Sequence, residues 1–514
     1  MSTNTASTSS AEADNLFSIL TRTAATRPDQ AFLLLPDGQE VTFGDMLEQS
    51  ARAAGWLRRS GVGVADRVVA QLDKSAAAVI FYLGCVRSGA VFVPLNAAYT
   101  EAELSYFLSD AEPALLVASP AHAGARVAFA GKRQILDPSL SEAPWRDCEP
   151  LDAVEPVSPD DPAAILYTSG TTGRSKGAVL THRNLSSNAL TLHDAWQWQD
   201  GDVLLHALPI YHAHGLFVAL HGALLNGSTV IFHERFEAAS VIRDLPAATV
   251  FMGVPTFYTR LLDDPGFDAT TSQSIRVFIS GSAPLLESTF LDFEARTGHR
   301  ILERYGMTEA VMVTSNPYQG PRQPGTVGYA LPEIDVRIAL EDGSPAPVGE
   351  PGILQIKGPN LFSGYWRNPE KTAQEHTTDG YFISGDVAVT AEDGFISIVG
   401  RAKDLIISGG FNVYPREIEL AIDALPGVHE SAVIGIPHPD FGEGVVAVVV
   451  AEAGISLDPT AIRNELAANL AAFKRPKHVI VLHELPRNAM GKVQKALLRE
   501  RYADIFAPCN LKHA

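Results

Sequence analysis

The chain has 514 residues, of which 46% are hydrophobic and 19% charged, a globular composition too long for one compact core. Its formal net charge of −19 repels phosphate backbones and anionic membranes, so we expect no nucleic-acid and no membrane partner. The three cysteines form no CxxC pair, which indicates neither a disulfide framework nor a zinc site and fits a reducing compartment.

The first predicted segment, residues 1–14, is rich in Ser, Thr and Ala and contains no Lys or Arg. It therefore matches neither a secretory signal nor an arginine-rich transit peptide, and we predict a disordered tail. Apolar runs elsewhere are far shorter than the roughly 20 residues that a membrane helix needs. We expect a cytoplasmic protein.

From residue 15 onward, short apolar strands alternate with amphipathic helices, which predicts a layered α/β architecture. The clearest predicted elements are strand 67–72, helix 76–88, strand 91–94, strand 228–232, helix 238–245, strand 249–254, a helix from Pro255 and hairpins over 337–357. Beyond Gly400 the pattern restarts as a compact α+β unit with helix 417–425, strands 432–436 and 445–451, helix 461–471 and strand 478–482. This predicts a domain boundary near 400–404.

Residues 167–177, YTSGTTGRSKG, combine serine and threonine hydroxyls, glycines and a lysine within one short segment. Glycines let backbone N–H groups turn around an anion, and hydroxyls add neutral donors. A Walker loop would read GxxxxGK[ST] and open a helix, whereas this segment lies between the apolar runs 163–167 and 178–181. We therefore predict a phosphate-binding loop in a hairpin, in preference to a solvated linker.

This loop resembles the signature of the adenylate-forming superfamily, which contains acyl-CoA synthetases, firefly luciferase and peptide-synthetase adenylation domains. The resemblance continues in order through SGSAP at 280–284, YGMTE at 305–309, SGD at 384–386, GRAKD at 400–404 and PRNAMGK at 486–492. It implies a large N-terminal AMP-binding domain of layered α/β subdomains (15–402) and a small mobile α+β C-terminal domain (403–514). It also implies ATP, Mg²⁺ and coenzyme A as cofactor and co-substrates.

The resemblance assigns roles to individual residues. Thr308 donates to the α-phosphate, Glu309 and Thr172 hold Mg²⁺, and Asp386 and Arg401 bind the ribose. Oxygen ligands such as the Glu309 carboxylate suit Mg²⁺. The other implied nucleotide-binding residues are Thr168, Ser169, Gly170, Thr171, Gly173, Lys176, Ser280, Gly281, Ser282, Ala283, Glu303, Arg304 and Tyr305.

Lys492 matches the family's catalytic lysine, and an ammonium there suits the anionic transition state of adenylation. The alternative is a surface lysine at a helix start. Lys403 matches the hinge about which the small domain turns between the two half-reactions. Ser408, Gly409, Gly410 and Lys474 are candidates for binding coenzyme A, although Lys474 could equally be a solvated basic residue. An accessible lysine also suggests a lysine acetyltransferase and deacetylase acting on Lys492.

The substrate acid is indicated by Arg260, which lies one turn into the helix predicted from Pro255. An arginine there could hold a second carboxylate, or it could point outward and pair with Asp263 or Asp264. The strings at 208–216, 251–260, 301–305 and 409–415 resemble malonyl-CoA synthetases of malonate-utilising bacteria, in which an arginine of this helix meets the distal carboxylate. His212 would line the acyl pocket or serve as a packed structural histidine.

The resemblance therefore implies that malonate, ATP and CoA react to malonyl-CoA, AMP and diphosphate through a malonyl-adenylate. The alternatives are the same ligation of another small acid, such as methylmalonate, oxalate or an aromatic carboxylate. A carrier-loading adenylation domain and a light-emitting oxygenase share the motifs. A non-enzymatic binding protein would be expected to lack Lys492 or Glu309, and both are present.

Overall fold

The computed structural model of the protein describes residues 14–137, 139–168, 175–408, 411–470, 472–488 and 492–506. Apart from Asp14, the predicted tail lies outside them. The chain forms two compact units: residues 1–336 with 356–382, and residues 337–355 with 383–514. Within the described ranges, no helix is both long and apolar enough to cross a membrane.

The described α-helices are α1 Leu16–Thr21, α2 Phe43–Arg59, α3 Ala76–Arg87, α4 Glu101–Ala111, α5 His182–Ala195, α6 His221–Asn226, α7 Ala238–Asp244, α8 Pro255–Asp263, α9 Ala269–Ser272, α10 Glu287–Thr297, α11 Pro369–Gln374, α12 Pro415–Asp423, α13 Pro459–Asn469 and α14 Lys495–Arg501. A π-helical segment, His214–Leu220, precedes α6.

The described strands up to residue 330 are β1 Ala31–Leu34, β2 Glu40–Thr42, β3 Arg67–Gln71, β4 Val91–Pro94, β5 Leu115–Ala118, β6 Lys132–Ile135, β7 Pro162–Thr168, β8 Lys176–Thr181, β9 Val203–His206, β10 Thr229–Phe232, β11 Val250–Gly253, β12 Val277–Ser280, β13 Leu302–Tyr305, β14 Thr314–Ser315 and β15 Tyr329–Ala330. The later strands are β16 Asp335–Ala339, β17 Gly352–Lys357, β18 Gly364–Tyr365, β19 Phe382–Thr390, β20 Ile396–Arg401, β21 Ile406–Ser408, β22 Phe411–Val413, β23 Val428–His438, β24 Gly442–Ala451 and β25 His478–Leu482.

Two sheets organise the first unit, with strand orders β15-β14-β13-β12-β11-β9-β10-β1-β2 and β18-β8-β7-β4-β3-β5-β6. Helix α3 is buried on every side because its sequence carries no charged residue before Arg87 at its end, and Ser75 caps its first turn. The predicted helices from 76, 238 and 255 and the strands near 67, 91, 228 and 249 are confirmed within one or two residues. The predicted layered α/β fold, large N-terminal part and small C-terminal part are therefore confirmed.

The order of parallel strands determines which loops meet in the first unit. Strands β9, β11, β12 and β13 run parallel, with Gly253 beside Ser280 and Ser280 beside Glu303. Their carboxyl ends therefore open on the same edge of the sheet, where open α/β sheets bind ligands. Ser280 and Tyr305 end β12 and β13 at this edge, and the segments that follow the strands carry His212, the start of α8, Gly281 and Ser282.

The second unit contains the four-stranded sheet β16-β17-β19-β20 and a sheet of β22-β21-β24-β23 with β25 beside β24. Helix α12 buries Ile418 and Ile422 and also contacts β20, so the four-stranded sheet belongs with the C-terminal elements. This division differs from the one predicted at residue 402. The hinge at Lys403 stays a prediction.

Candidate active site

The predicted phosphate loop is the connection of an antiparallel hairpin. Strands β7 and β8 pair with Thr168 opposite Lys176, as the two apolar runs predicted. The Tyr167 hydroxyl donates to Asp110 at 2.6 Å, which fixes the end of β7 beside the loop. Of the predicted loop residues, Ser169, Gly170, Thr171, Thr172 and Gly173 lie outside the described residues.

Lys176, at the start of β8, lies in a cluster of charged and phenolic groups. Its ammonium is 3.0 Å from Glu375 Oε1 and 4.2 Å from the centre of the Tyr365 ring. The Tyr365 hydroxyl donates to Glu375 Oε2 at 2.5 Å and lies 3.0 Å from Glu309 Oε1. Burial alone would raise the pKa of Glu375, but hydrogen bonds from Tyr365, Lys371 and Lys176 lower it below its usual range.

Glu309, the predicted magnesium ligand, is buried at 7% exposure in the turn that follows β13. A Cβ at Gly306 would lie 1.9 Å from the Val311 carbonyl oxygen, so this turn requires glycine. Thr308 is half-buried in the same turn. Among the residues that the structure describes, no three His, Cys, Asp or Glu side chains form a metal cage. A single carboxylate completed by substrate phosphates and water suits Mg²⁺, so Glu309 fits this ion.

The loop after β12 is built around the buried guanidinium of Arg304, which is 3% exposed. A Cβ at Gly281 would lie 2.4 Å from Arg304 Cζ, so only glycine lets this loop approach the side chain. Ser282 has a positive φ of 71°, and its hydroxyl lies 3.2 Å from His214 Nδ1. Ala283 is half-buried next to it, and Ser280 is fully buried.

Arg304 itself has an unusual environment. Within the described part of the chain, its Nε and Nη2 atoms are buried and have no hydrogen-bond partner. Burial lowers the pKa of Arg304 to about 9, while the nearby Tyr258 and Glu303 act in the opposite direction. Its neighbour Glu303 instead accepts a hydrogen bond from the Leu285 backbone at 3.0 Å. A pKa of about 9 still leaves Arg304 a cation at neutral pH.

Helix α8 carries the predicted substrate residue Arg260. Tyr258 and Leu261 face the core, and the Tyr258 hydroxyl donates to the Ile279 carbonyl at 2.6 Å. Arg260 is exposed, and it forms no ion pair with Asp263, Asp264 or another of the described residues. Phe257 stacks on Phe236 with ring centroids 4.0 Å apart. The less buried side of α8 therefore contains Phe257 and Arg260, as the helical spacing predicted.

The two histidines after β9 differ in burial. His212 is half-buried, whereas His214 is 2% exposed and begins the π-helical segment. Burial, and then the charge of Arg304, holds the pKa of His214 well below its usual range, so its ring is neutral. π-helical segments often occur at functional sites. Sequence reasoning selected His212 and missed His214, although both stand in the same string.

In the second unit, Asp386 and Arg401 face each other across β19 and β20. Arg401 Nε is 2.6 Å from Asp386 Oδ1, and Asp386 is 3% exposed. Gly385 has φ 71° immediately before Asp386, and this backbone conformation favours glycine. The two residues that the resemblance assigned to the ribose are thus an ion pair on neighbouring strands.

Lys492 precedes α14 in a loop closed by reciprocal bonds with Asn488. The Asn488 N–H donates to the Lys492 carbonyl and the Lys492 N–H donates to Asn488 Oδ1, both at 2.9 Å. Although the residue as a whole is exposed, burial of its ammonium by neighbouring groups and the charge of Arg401 lower the pKa of Lys492. The charges of Asp386 and Asp404 act in the opposite direction.

The predicted hinge residue Lys403 lies in a short 3-10 turn, Ala402–Asp404. Partial burial and the charges of Arg401, Lys492 and Arg499 lower its pKa to about 8, although Asp404 opposes them. Of the predicted CoA-binding residues, Ser408 is buried at 1% exposure and Lys474 pairs with Glu417 at 2.5 Å. Gly409 and Gly410 lie outside the described residues.

Two families match the chain: AMP-binding enzyme over residues 20–366 and AMP-binding enzyme C-terminal domain over 417–492. The crystal structure of ATP-bound MatB from Rhodopseudomonas palustris is similar at 49% identity and a TM-score of 0.92, covering 96% of this chain and 99% of that one. A malonate–CoA ligase of Arabidopsis thaliana is 36% identical, covering 90% of this chain and 81% of its own length. A feruloyl-CoA synthase of Amycolatopsis is 37% identical, with 90% and 94% covered. The chain therefore belongs to the AMP-binding enzyme family and is an AMP-forming acyl-CoA synthetase.

Proposed function

We propose that the protein is a malonyl-CoA synthetase. It joins malonate to AMP from ATP, releases diphosphate, and transfers the malonyl group to coenzyme A. The observation that carries this proposal is the buried Arg304 guanidinium, whose Nε and Nη2 have no hydrogen-bond partner among the described residues. A buried cation with unpaired N–H groups is costly, and an anion supplied by the substrate removes that cost.

The position of Arg304 supports a role in binding the acid. Its guanidinium packs against Gly281, and its charge acts on both His214 and Tyr258. Tyr258 belongs to α8, which also carries Arg260. In adenylation, the carboxylate that reacts goes to the α-phosphate, so a cation in the acyl pocket is matched only by a second carboxylate. A guanidinium binds a carboxylate through two parallel N–H donors. Malonate supplies that second carboxylate, whereas ferulate and short monocarboxylic acids do not.

The remaining residues have separable roles in the proposed mechanism. Lys176 binds the phosphates that leave, and Thr308 donates to the α-phosphate. Lys492 offers an ammonium to the charge that develops as a carboxylate oxygen attacks phosphorus and the bond to diphosphate breaks. Asp386 and Arg401 hold the ribose. Glu309 would hold Mg²⁺, which supplies neutralisation of phosphate charge when bound.

Thioester formation is the second step of the proposed reaction. The thiol of coenzyme A loses its proton, its sulfur attacks the acyl carbonyl, and AMP leaves. Because Lys474 is paired with Glu417 through both carboxylate oxygens, its ammonium would have to exchange that partner for a phosphate of coenzyme A. A role for Lys403 as the hinge and acetylation of Lys492 remain proposals drawn from the resemblance.

The main alternative is an acyl-CoA synthetase for another small acid, and the feruloyl-CoA synthase relative favours an aromatic one. The test is diphosphate release from ATP with malonate, methylmalonate, oxalate, propionate and ferulate, each with and without coenzyme A. We expect the highest kcat/KM with malonate and a thioester product only when coenzyme A is present. A higher kcat/KM for ferulate or propionate would reject malonate as the substrate and leave the enzyme class intact.

A further inference from the structure

The cluster around Lys176 contains two residues to which the proposed mechanism gives no role, Glu375 and Tyr365. Glu375 directly follows α11, and its carboxylate is shared by Lys176 and Lys371, each 3.0 Å from Oε1. The side chains of Lys176 and Glu375 are 23% and 21% exposed, so solvent screens their attraction only in part. The lysine expected to bind phosphate is thus already occupied by an anion from the protein.

The partner of Lys176 is fixed more firmly than Lys176 itself. The Tyr365 backbone N–H donates to Thr372 Oγ1 at 2.9 Å, which ties β18 to α11. A Cβ at Gly364 would lie 2.9 Å from Thr372 Cγ2, so the two elements approach too closely for a larger residue. Lysine, in contrast, carries its charge on a flexible four-carbon chain. When the ion pair breaks, the ammonium moves and the carboxylate stays.

Tyr365 can donate only one hydrogen bond, because a phenol has one hydroxyl proton. Its oxygen lies 2.5 Å from Glu375 Oε2 and 3.0 Å from Glu309 Oε1. Both acceptors are carboxylates, and the contact with Glu375 is the shorter, so we assign the hydroxyl proton to the bond with Glu375. If Lys176 leaves, Glu375 retains this bond and the contact with Lys371. The half-buried carboxylate of Glu375 therefore still has two partners after Lys176 has moved away.

We propose that Glu375 is a positioning residue that holds Lys176 in the free enzyme and releases it to the triphosphate of ATP, while the Tyr365 hydroxyl stabilises the carboxylate that Lys176 leaves. This inference rests on the proposed role of Lys176 in binding phosphate. The competition between Glu375 and the phosphates lowers the affinity for ATP and for diphosphate. The same competition aids the departure of diphosphate after adenylation.

The test is equilibrium binding of diphosphate and of AMP to the full-length protein in EDTA, which removes metal from the comparison. Glu375→Gln keeps the shape of the side chain and removes its charge. We expect it to bind diphosphate three- to tenfold more tightly, the effect of losing one partly screened ion pair. AMP has no β- or γ-phosphate, so its affinity should change less than twofold. Glu370→Gln is the matched control, because Glu370 is exposed on α11, the helix that Glu375 directly follows, and its loss changes the net charge equally.

Tyr365→Phe provides a test of opposite sign. Without the hydroxyl, Glu375 depends more strongly on Lys176, so diphosphate should bind at least twofold more weakly. In the double variant with Glu375→Gln, the effect of Tyr365→Phe should disappear, because Tyr365 acts through the Glu375 charge. If Tyr365→Phe weakens binding equally in both backgrounds, the hydroxyl acts elsewhere and the proposal is wrong.

The remaining outcomes also decide the matter. Unchanged or weaker diphosphate binding in Glu375→Gln overturns the proposal, as does equal tightening by Glu370→Gln or equal tightening for AMP. Lys176→Met should weaken diphosphate binding at least tenfold, as loss of a charge-assisted contact predicts. If it does not, Lys176 is not the phosphate-binding lysine and the inference fails with that assignment. The binding measurements with diphosphate and AMP contain no acid substrate. Their outcome therefore leaves the proposal that malonate is the substrate untouched.

Discussion

Replacing Arg304 by Met tests the substrate proposal at its central residue. Methionine has a similar length, retains the apolar contacts of the side chain and removes the charge. In the free enzyme Arg304 is 3% exposed, and two of its N–H-bearing nitrogens have no hydrogen-bond partner within the described residues. Such a group destabilises the fold, because its desolvation is not compensated. We therefore expect the melting temperature of Arg304→Met to equal or exceed that of the wild type.

The expected loss of activity follows from the bond that the side chain would make. A hydrogen bond to a charged group contributes roughly 1.5–3 kcal/mol, and about 1.4 kcal/mol corresponds to a factor of ten. kcat/KM for malonate should therefore fall at least tenfold and approach a hundredfold. Propionate has a methyl group where malonate has the distal carboxylate, so its kcat/KM should change less than threefold or increase. A fall in the ratio of kcat/KM for malonate to kcat/KM for propionate would indicate that Arg304 binds the distal carboxylate.

Diphosphate release measured with each acid, together with thermal denaturation, distinguishes the two roles of Arg304. Arg260→Leu is the natural comparison, since Arg260 lies exposed on α8 and the resemblance assigns the distal carboxylate to it. A selective loss of malonate activity in Arg260→Leu would show that both arginines contribute. If Arg304→Met lowers the melting temperature and reduces activity with both acids equally, Arg304 is structural and the reasoning is refuted.

Two further predictions concern the second unit. Lys492→Ala should reduce ATP–diphosphate exchange by about 10²–10⁴ while sparing thioester formation from supplied malonyl-adenylate, and equal loss of both half-reactions would contradict a role confined to adenylation. Asp423→Asn should stabilise the protein more at pH 8 than at pH 5. Burial raises the pKa of Asp423 to about 7, although the Ser431 hydroxyl and Arg416 oppose the shift. Its protonated form is therefore favoured in the fold, and stability is lost as pH rises from the unfolded pKa near 4 through 7. The gain should be about 2–3 kcal/mol larger at pH 8 than at pH 5 in urea denaturation, and an equal gain at both pH values would contradict the argument.

The enzyme class was readable from the sequence because its motifs are local. The glycine, hydroxyl and lysine pattern of 167–177 lies between two apolar runs, and those runs became β7 and β8. Helix α8 begins at Pro255, as the proline after an apolar strand predicted. In such segments the periodicity and the turn residues act over a few positions, so neighbouring residues suffice to determine the structure.

The partners of the site residues depended on the tertiary structure. Lys176 and Glu375 are 199 residues apart, and Tyr365 and Glu309 are separated by 56, so no spacing rule could have joined them. The burial of Arg304 could not be predicted from the sequence either, because an arginine near the end of a strand has the same sequence pattern whether it is exposed or buried. Burial and charge pairing arise when parallel strands bring distant loops to one edge of a sheet. Sequence alone therefore determined which chemistry the chain carries, and the packing of distant segments decided which of the described charges are buried and which are paired.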